Sequence, residues 1–151
     1  MYTTTDITKH LGIKRERLKI WMTNGYIRPS ETASGPGTKN LFTVTDLYLL
    51  KLFTSLVERG FPREEAALRI KMIQATLHPG KINDIWLIGF IREDEKGHAP
   101  GYPEMIYTNS ISEFVNESET FLKMFFDYGC DDFLIFNFKK IRESVDKSLG
   151  K

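Results

Sequence analysis

The chain has 151 residues, 41% of them apolar and 27% charged, and a formal net charge of +1. That composition excludes a disordered or fibrous chain and suits one ordinary globular domain or two small ones. The charge is uneven: residues 1–80 hold 12 Lys/Arg against 7 Asp/Glu (+5) and residues 81–151 hold 9 against 13 (−4), so a polyanionic partner is expected only for the first half.

Thr3-Thr4-Thr5 is a β-prone lead-in, with Thr5 as the expected N-cap of a first helix and Asp6 in its first turn. Ile7 and Leu11 share a face, and Gly12 ends the helix. A second helix is expected over about 14–24, with Leu18, Trp21 and Met22 inward and Gly25 closing it. Helix, glycine turn and helix within some twenty residues is a helix-turn-helix pattern. Tyr26-Ile27-Arg28-Pro29 is extended, because the residue before proline is pushed toward β geometry. Ser30 to Asn40 is polar with a Gly35-Pro36-Gly37 bend, and Leu41-Phe42 is apolar again: a hairpin with an exposed tip, able to serve as a β-wing.

Thr43 and Asp46 have capping-box spacing and open a third helix whose broad apolar face includes Leu49, Phe53 and Leu56; Gly60 ends it. Pro62 stands at the first position of a fourth helix, with Ala66, Ile70, Ile73 and Leu77 as its seam. His78-Pro79-Gly80 is the expected domain boundary. Beyond it lie a β-rich run within Asp84–Arg92, a charged Gly/Pro-rich turn region, and a second strand at Glu104–Thr108. A mostly helical stretch follows over Ser110–Tyr128, with Ser118 a candidate break. A third strand at Phe133–Phe136 and a closing helix over Lys139–Leu149 complete the chain. The expected architecture is mainly α with a small α+β part. A winged helix-turn-helix domain over residues 1–78 precedes a three-stranded α+β dimerisation or effector domain over 81–151.

The chemistry gathers in Thr5–Phe42. The second helix carries Lys14, Arg15, Arg17 and Lys19, and the hairpin carries Thr38, Lys39 and Asn40. A basic helix beside a basic wing is suited to a DNA major groove and its flanking phosphates. Arg15 and Arg17, two residues apart, would splay across groove floor and wall, reaching guanine edges or phosphates, with Lys14 on the approach side. Thr38 offers a hydroxyl to phosphate, and Lys39 and Asn40 would pin the backbone. Trp21 is expected to serve the core first, its indole N–H a further phosphate donor. The plainer readings are a solvated basic helix and an ordinary polar hairpin.

No enzyme activity, cofactor or metal is expected. His10, His78 and His98 are scattered, and Cys130 with Asp131 and Asp132 falls short of the four ligands of a closed zinc site. One cysteine rules out an internal disulfide, and no apolar run approaches the ~20 residues needed to span a bilayer. A cytoplasmic protein is therefore expected.

Residues Thr3–Phe61 resemble the N-terminal domain of the MerR family of transcription regulators. The resemblance rests on Thr5-Asp6-Ile7, Gly12-Ile13, Leu18-Lys19-Ile20-Trp21, Gly25-Tyr26-Ile27-Arg28-Pro29, Gly37-Thr38-Lys39-Asn40-Leu41-Phe42, Asp46-Leu47 and Gly60-Phe61, in that order and spacing. It implies a winged helix-turn-helix, a homodimer, and a pseudo-palindromic promoter site bent or twisted on binding. By position, Lys19 stands where the family usually has Arg, Ile20 where it often has Tyr, and Trp21 at the following aromatic position. Two features depart from the family. His78-Pro79-Gly80 interrupts where many members place a long dimerising helix, and the Cys positions of metal- and redox-sensing members are absent. The expected partners are double-stranded DNA and a second copy of the chain. RNA polymerase and a small-molecule effector stay open, as does the alternative of a winged-helix adaptor whose C-terminal domain binds a protein or small ligand.

Overall fold

Two Thr–Asp pairs set the N-terminal architecture. In the computed structural model, which describes residues 1–76, 84–90, 103–127, 129 and 132–151, strand β1 (Tyr2–Thr3) runs directly into helix α1 (Thr4–Leu11). The N-cap is Thr3, not the expected Thr5. The Thr3 hydroxyl accepts from the Asp6 backbone N–H at 3.3 Å, and the Asp6 carboxylate accepts from the Thr3 N–H at 2.7 Å. The reciprocal pair satisfies two helix-end donors at once, which a cap at Thr5 would not. Gly12, at φ 67°, closes the helix in the left-handed region that glycine tolerates best.

Helix α2 (Arg15–Thr23) follows, then the wing, then strand β2 (Leu41–Phe42), which pairs antiparallel with β1. Helix α3 (Val44–Glu58) opens on the expected box, Thr43 with Asp46. It is buried on most of its circumference, from Leu47 to Leu56, and is the hub of the N-terminal core. Trp21 meets Phe53 edge to face with ring centroids 4.9 Å apart, and Ile7, Leu18 and Phe42 are fully enclosed. Helix α4 (Arg63–Thr76) buries Ala66, Ile70 and Ile73 of the expected seam. Its Arg69, 3% exposed, pairs with Glu65 at 3.1 Å and lies over the Phe61 ring.

The C-terminal part holds a three-stranded antiparallel sheet in the order β4-β3-β5: β3 (Ile85–Phe90) at the centre, β4 (Pro103–Asn109) and β5 (Asp132–Asn137) at the edges. Trp86 stands opposite Thr108 on one side and Phe136 on the other, and the β3–β4 register shifts at Gly89/Phe90. Helix α5 (Ile111–Asp127) runs unbroken and buries Phe121 and Phe125. Ser118 does not interrupt it, because its hydroxyl donates back to the Val115 carbonyl at 3.3 Å. Helix α6 (Phe138–Ser148) ends the chain. The architecture is the expected one: mainly α, a winged helix-turn-helix domain and a small three-stranded α+β part. The break at His78-Pro79-Gly80, the turn region after Arg92, and Cys130 lie outside the described residues.

The described chain divides into two units, Met1–Lys71 with Ile141–Lys151, and Met72–Lys140. The closing helix is expected in the C-terminal domain; most of it belongs instead to the N-terminal unit. The Tyr48 hydroxyl donates to the Asp146 carboxylate at 2.7 Å, the His10 ring Nδ1 lies 2.8 Å from the Ser148 carbonyl oxygen, and Val145 is fully buried. Burial and the Asp146 contact push the Tyr48 hydroxyl up to about 12.

Candidate nucleic-acid interface

Helix α2 has one side committed to the core. Leu18 is 0% and Trp21 2% exposed, and Ile13 just ahead of the helix is also buried. At about 100° per residue, the side opposite Leu18 carries Glu16, Ile20 and Thr23 at i, i+4 and i+7. All three are exposed, Ile20 to 52%. Arg15 and Lys19 lie on one flank of that crest and Arg17 on the other. Lys14 is the N-cap and makes no side-chain capping bond.

The wing runs from Glu31 to Leu41, whose backbones exchange hydrogen bonds of 3.0 and 2.9 Å. Its tip is a four-residue turn in which the Thr38 N–H donates to the Gly35 carbonyl at 3.1 Å. Pro36 and then Gly37, at φ 83°, occupy the central positions in the order a type II turn requires. The Thr38 hydroxyl accepts from the Ser34 and Gly35 N–H groups and donates to the Gly35 carbonyl at 2.7 Å. Its one proton is spent inside the turn, so in this arrangement it has no donor for a phosphate, contrary to the sequence reading. Asn40 accepts from the Ala33 N–H at 2.9 Å and reaches the Met22 sulfur on α2 at 3.7 Å, so it shapes the wing and ties it to the helix. Lys39 is exposed.

Helix and wing enclose an open cleft of about 560 Å³ lined by Thr4, Arg15, Glu16, Lys19, Met22 and Asn40. Arg15 therefore faces the wing. Arg17 does not: its guanidinium lies 5.9 Å from the Trp21 ring centroid, a cation–π distance, on the opposite flank. The two arginines are not a pair on one face. Trp21 is first a core residue, as expected, and Arg17 rests on it. Among the described residues no carboxylate lies within ion-pair distance of Arg15, Arg17 or Lys19. Glu16, Ile20 and Thr23 carry no positive charge, and only their i, i+4, i+7 spacing marks them in the sequence.

Two contacts tie the segment between α2 and the wing to the helices behind it. The Ser30 hydroxyl donates to the Asp46 carboxylate at 2.5 Å, and the Tyr26 hydroxyl donates to Glu64 of α4. That hydrogen bond holds the Glu64 carboxyl below its ordinary range and raises the Tyr26 hydroxyl above its own.

Among the described residues no helix is long and apolar enough to cross a membrane. No curated protein matches the chain significantly. Residues 2–73, however, match the family model of the MerR HTH family regulatory proteins, a segment that includes α1, α2, the wing and α3. The N-terminal domain of this chain is therefore a MerR-family helix-turn-helix domain, the DNA-binding part of a transcription regulator.

Proposed function

We propose that the protein is a sequence-specific regulator that acts as a homodimer on a pseudo-palindromic promoter site. In this reading α2 enters the major groove and the wing lies along the flanking backbone. The observation that carries it is the placement of cations on both flanks of α2. Arg15 and Lys19 line the cleft shared with the wing, and Arg17 rests on Trp21 across the helix. A helix lowered into a groove meets phosphates on both walls, so cations on both flanks fit a duplex better than a one-sided patch does.

Dimerisation is supported by apolar side chains left in solvent on the C-terminal unit: Val115 at 65%, Phe126 at 66% and Ile135 at 50% exposure. A two-fold DNA reader needs a self-complementary pairing surface. Bound at a promoter, such a dimer would act beside RNA polymerase. A small-molecule effector held by the C-terminal unit would raise its thermal stability.

The test is selection of bound duplexes from a random pool, followed by titrations at several salt concentrations. A palindromic consensus is expected. Arg15→Ala, Arg17→Ala and Lys19→Ala should each weaken binding and flatten the dependence of log K on log salt by about one unit. No enriched sequence, and equal binding by wild type and the Arg15/Arg17 double variant, would sink the proposal. It would leave an adaptor that keeps the winged fold and uses its exposed apolar residues for a protein partner.

A further inference from the structure

The structure points to a division of labour within α2 that cations alone do not reveal, and we infer that Glu16 and Ile20 read the bases while Arg15, Lys19 and Arg17 hold phosphates. The inference rests on the proposed DNA-binding role of this helix. Its observation is positional: the part of α2 farthest from its buried side is neither Arg15 nor Arg17 but the stripe Glu16, Ile20 and Thr23. Whatever reaches deepest into a groove must come from that stripe.

The chemistry of the stripe matches a groove floor and not a phosphate wall. Ile20 is 52% exposed at the middle of a helix whose neighbours are charged, where an apolar side chain gains nothing from water. Glu16, Lys19, Ile20, Thr23 and Asn24 line a shallow concavity of about 320 Å³. The major groove offers one apolar group to such a surface, the 5-methyl of thymine. Glu16 is a carboxylate between Arg15 and Lys19 in the cleft lining. Against a phosphate it would be repelled; against the groove floor it can accept from the N4 amino group of cytosine, the contact that suits a carboxylate there. The flanking cations supply the charge complementarity that brings a polyanion to this face and offset the negative charge of Glu16. Thr23, one turn on, extends the stripe with a hydroxyl that can meet either kind of base edge.

The arrangement commits to specific bases. Each half-site should contain a thymine under Ile20 and a cytosine under Glu16, close together because the two residues are one helical turn apart. Selection from a random duplex pool is run with the wild-type chain, Ile20→Ala and Glu16→Gln. The selected site is then remade with each thymine replaced by deoxyuridine, which removes only the methyl group. Wild type should lose about fourfold affinity at one symmetric pair of positions, the worth of a buried methyl, and Ile20→Ala should bind both duplexes alike. Glu16→Gln should lose roughly tenfold preference for cytosine at its position while binding random DNA more tightly, because a negative charge has gone. A variant that merely misfolds would weaken all DNA alike and would not gain random-duplex affinity. The inference is overturned if both variants select the wild-type sequence at every position, or if no thymine methyl matters to the wild type. That result would leave the DNA-binding proposal standing, whereas failure of the wild type to enrich any sequence would end both.

Discussion

Thr3 and Asp6 show how much a pair of side chains decides. The box they form starts α1 at Thr4 and lets β1 pair with β2 immediately before it, so the helix direction and the wing's return strand are set within two residues. Thr3→Ala should cost about 0.5–2 kcal/mol of stability, as other lost caps do, measurable in thermal or urea melts. Hydrogen bonds from the Thr3 backbone N–H and hydroxyl hold the Asp6 carboxyl below its ordinary value of 3.8. A folded-state value below the unfolded one gives stability that is present above the unfolded value and lost as pH falls through the folded one. Melts from about pH 5 down to about pH 2 should therefore show a steeper acid loss for wild type than for Asp6→Asn. The identical box at Thr43 and Asp46 is legible from its spacing, since Asp46 stands three residues after Thr43. At the first helix three consecutive threonines are eligible, and the same spacing, Thr3 to Asp6, is the signal that singles out Thr3.

At the scale of elements, the wing and α6 are the informative cases. The Gly35-Pro36-Gly37 bend and the flanking strand residues were readable from composition. That Thr38 is consumed in shaping the tip was not, because a hydroxyl's partners depend on a turn geometry that the residue type does not specify. Thr38→Val removes the hydroxyl's contacts while keeping its shape. It should loosen the tip, seen as faster amide exchange at Ser34 and Gly35, and weaken DNA binding several-fold, with Thr38→Ser retaining both. Unchanged affinity in the valine variant would mean that the tip does not meet the duplex. Helix α6 makes its own prediction through Tyr48. With burial the larger cause and the Asp146 contact the second, the hydroxyl titrates at about 12 in the folded chain against 10 for an ordinary tyrosine. The folded form therefore keeps a proton that the unfolded form has lost. The stability this contributes is whole below about pH 10 and is lost as pH rises through the folded-state value. Tyr48→Phe should flatten alkaline melts across that window and leave neutral stability lower by about 1 kcal/mol, the usual worth of one hydrogen bond.

The proposed DNA interface, exposed Ile20 included, belongs to the N-terminal unit, and a second set of exposed apolar residues belongs to the other unit. Ile111, Val115 and Phe126 of α5 and Ile135 of β5 stand in solvent, and a homodimer that uses them should come apart when charge is placed there. The Val115→Glu/Phe126→Glu double variant is expected to sediment as a monomer with native circular dichroism and to lose affinity for a full palindrome far more than for a half-site. A dimer that survives both substitutions would put the pairing surface elsewhere.

Sequence alone determined the helix-turn-helix, the wing, the three strands and the family of the N-terminal domain, because each follows from local signals: apolar periodicity, glycine and proline punctuation, and caps. Only tertiary structure decided that the last eleven residues join the N-terminal unit, since His10 and Ser148 are 138 positions apart and no local pattern encodes their meeting. It also decided which flank of α2 each cation takes. Helix rotation is set by what the core accepts, here Leu18 and Trp21, and every exposed residue inherits its direction from that choice.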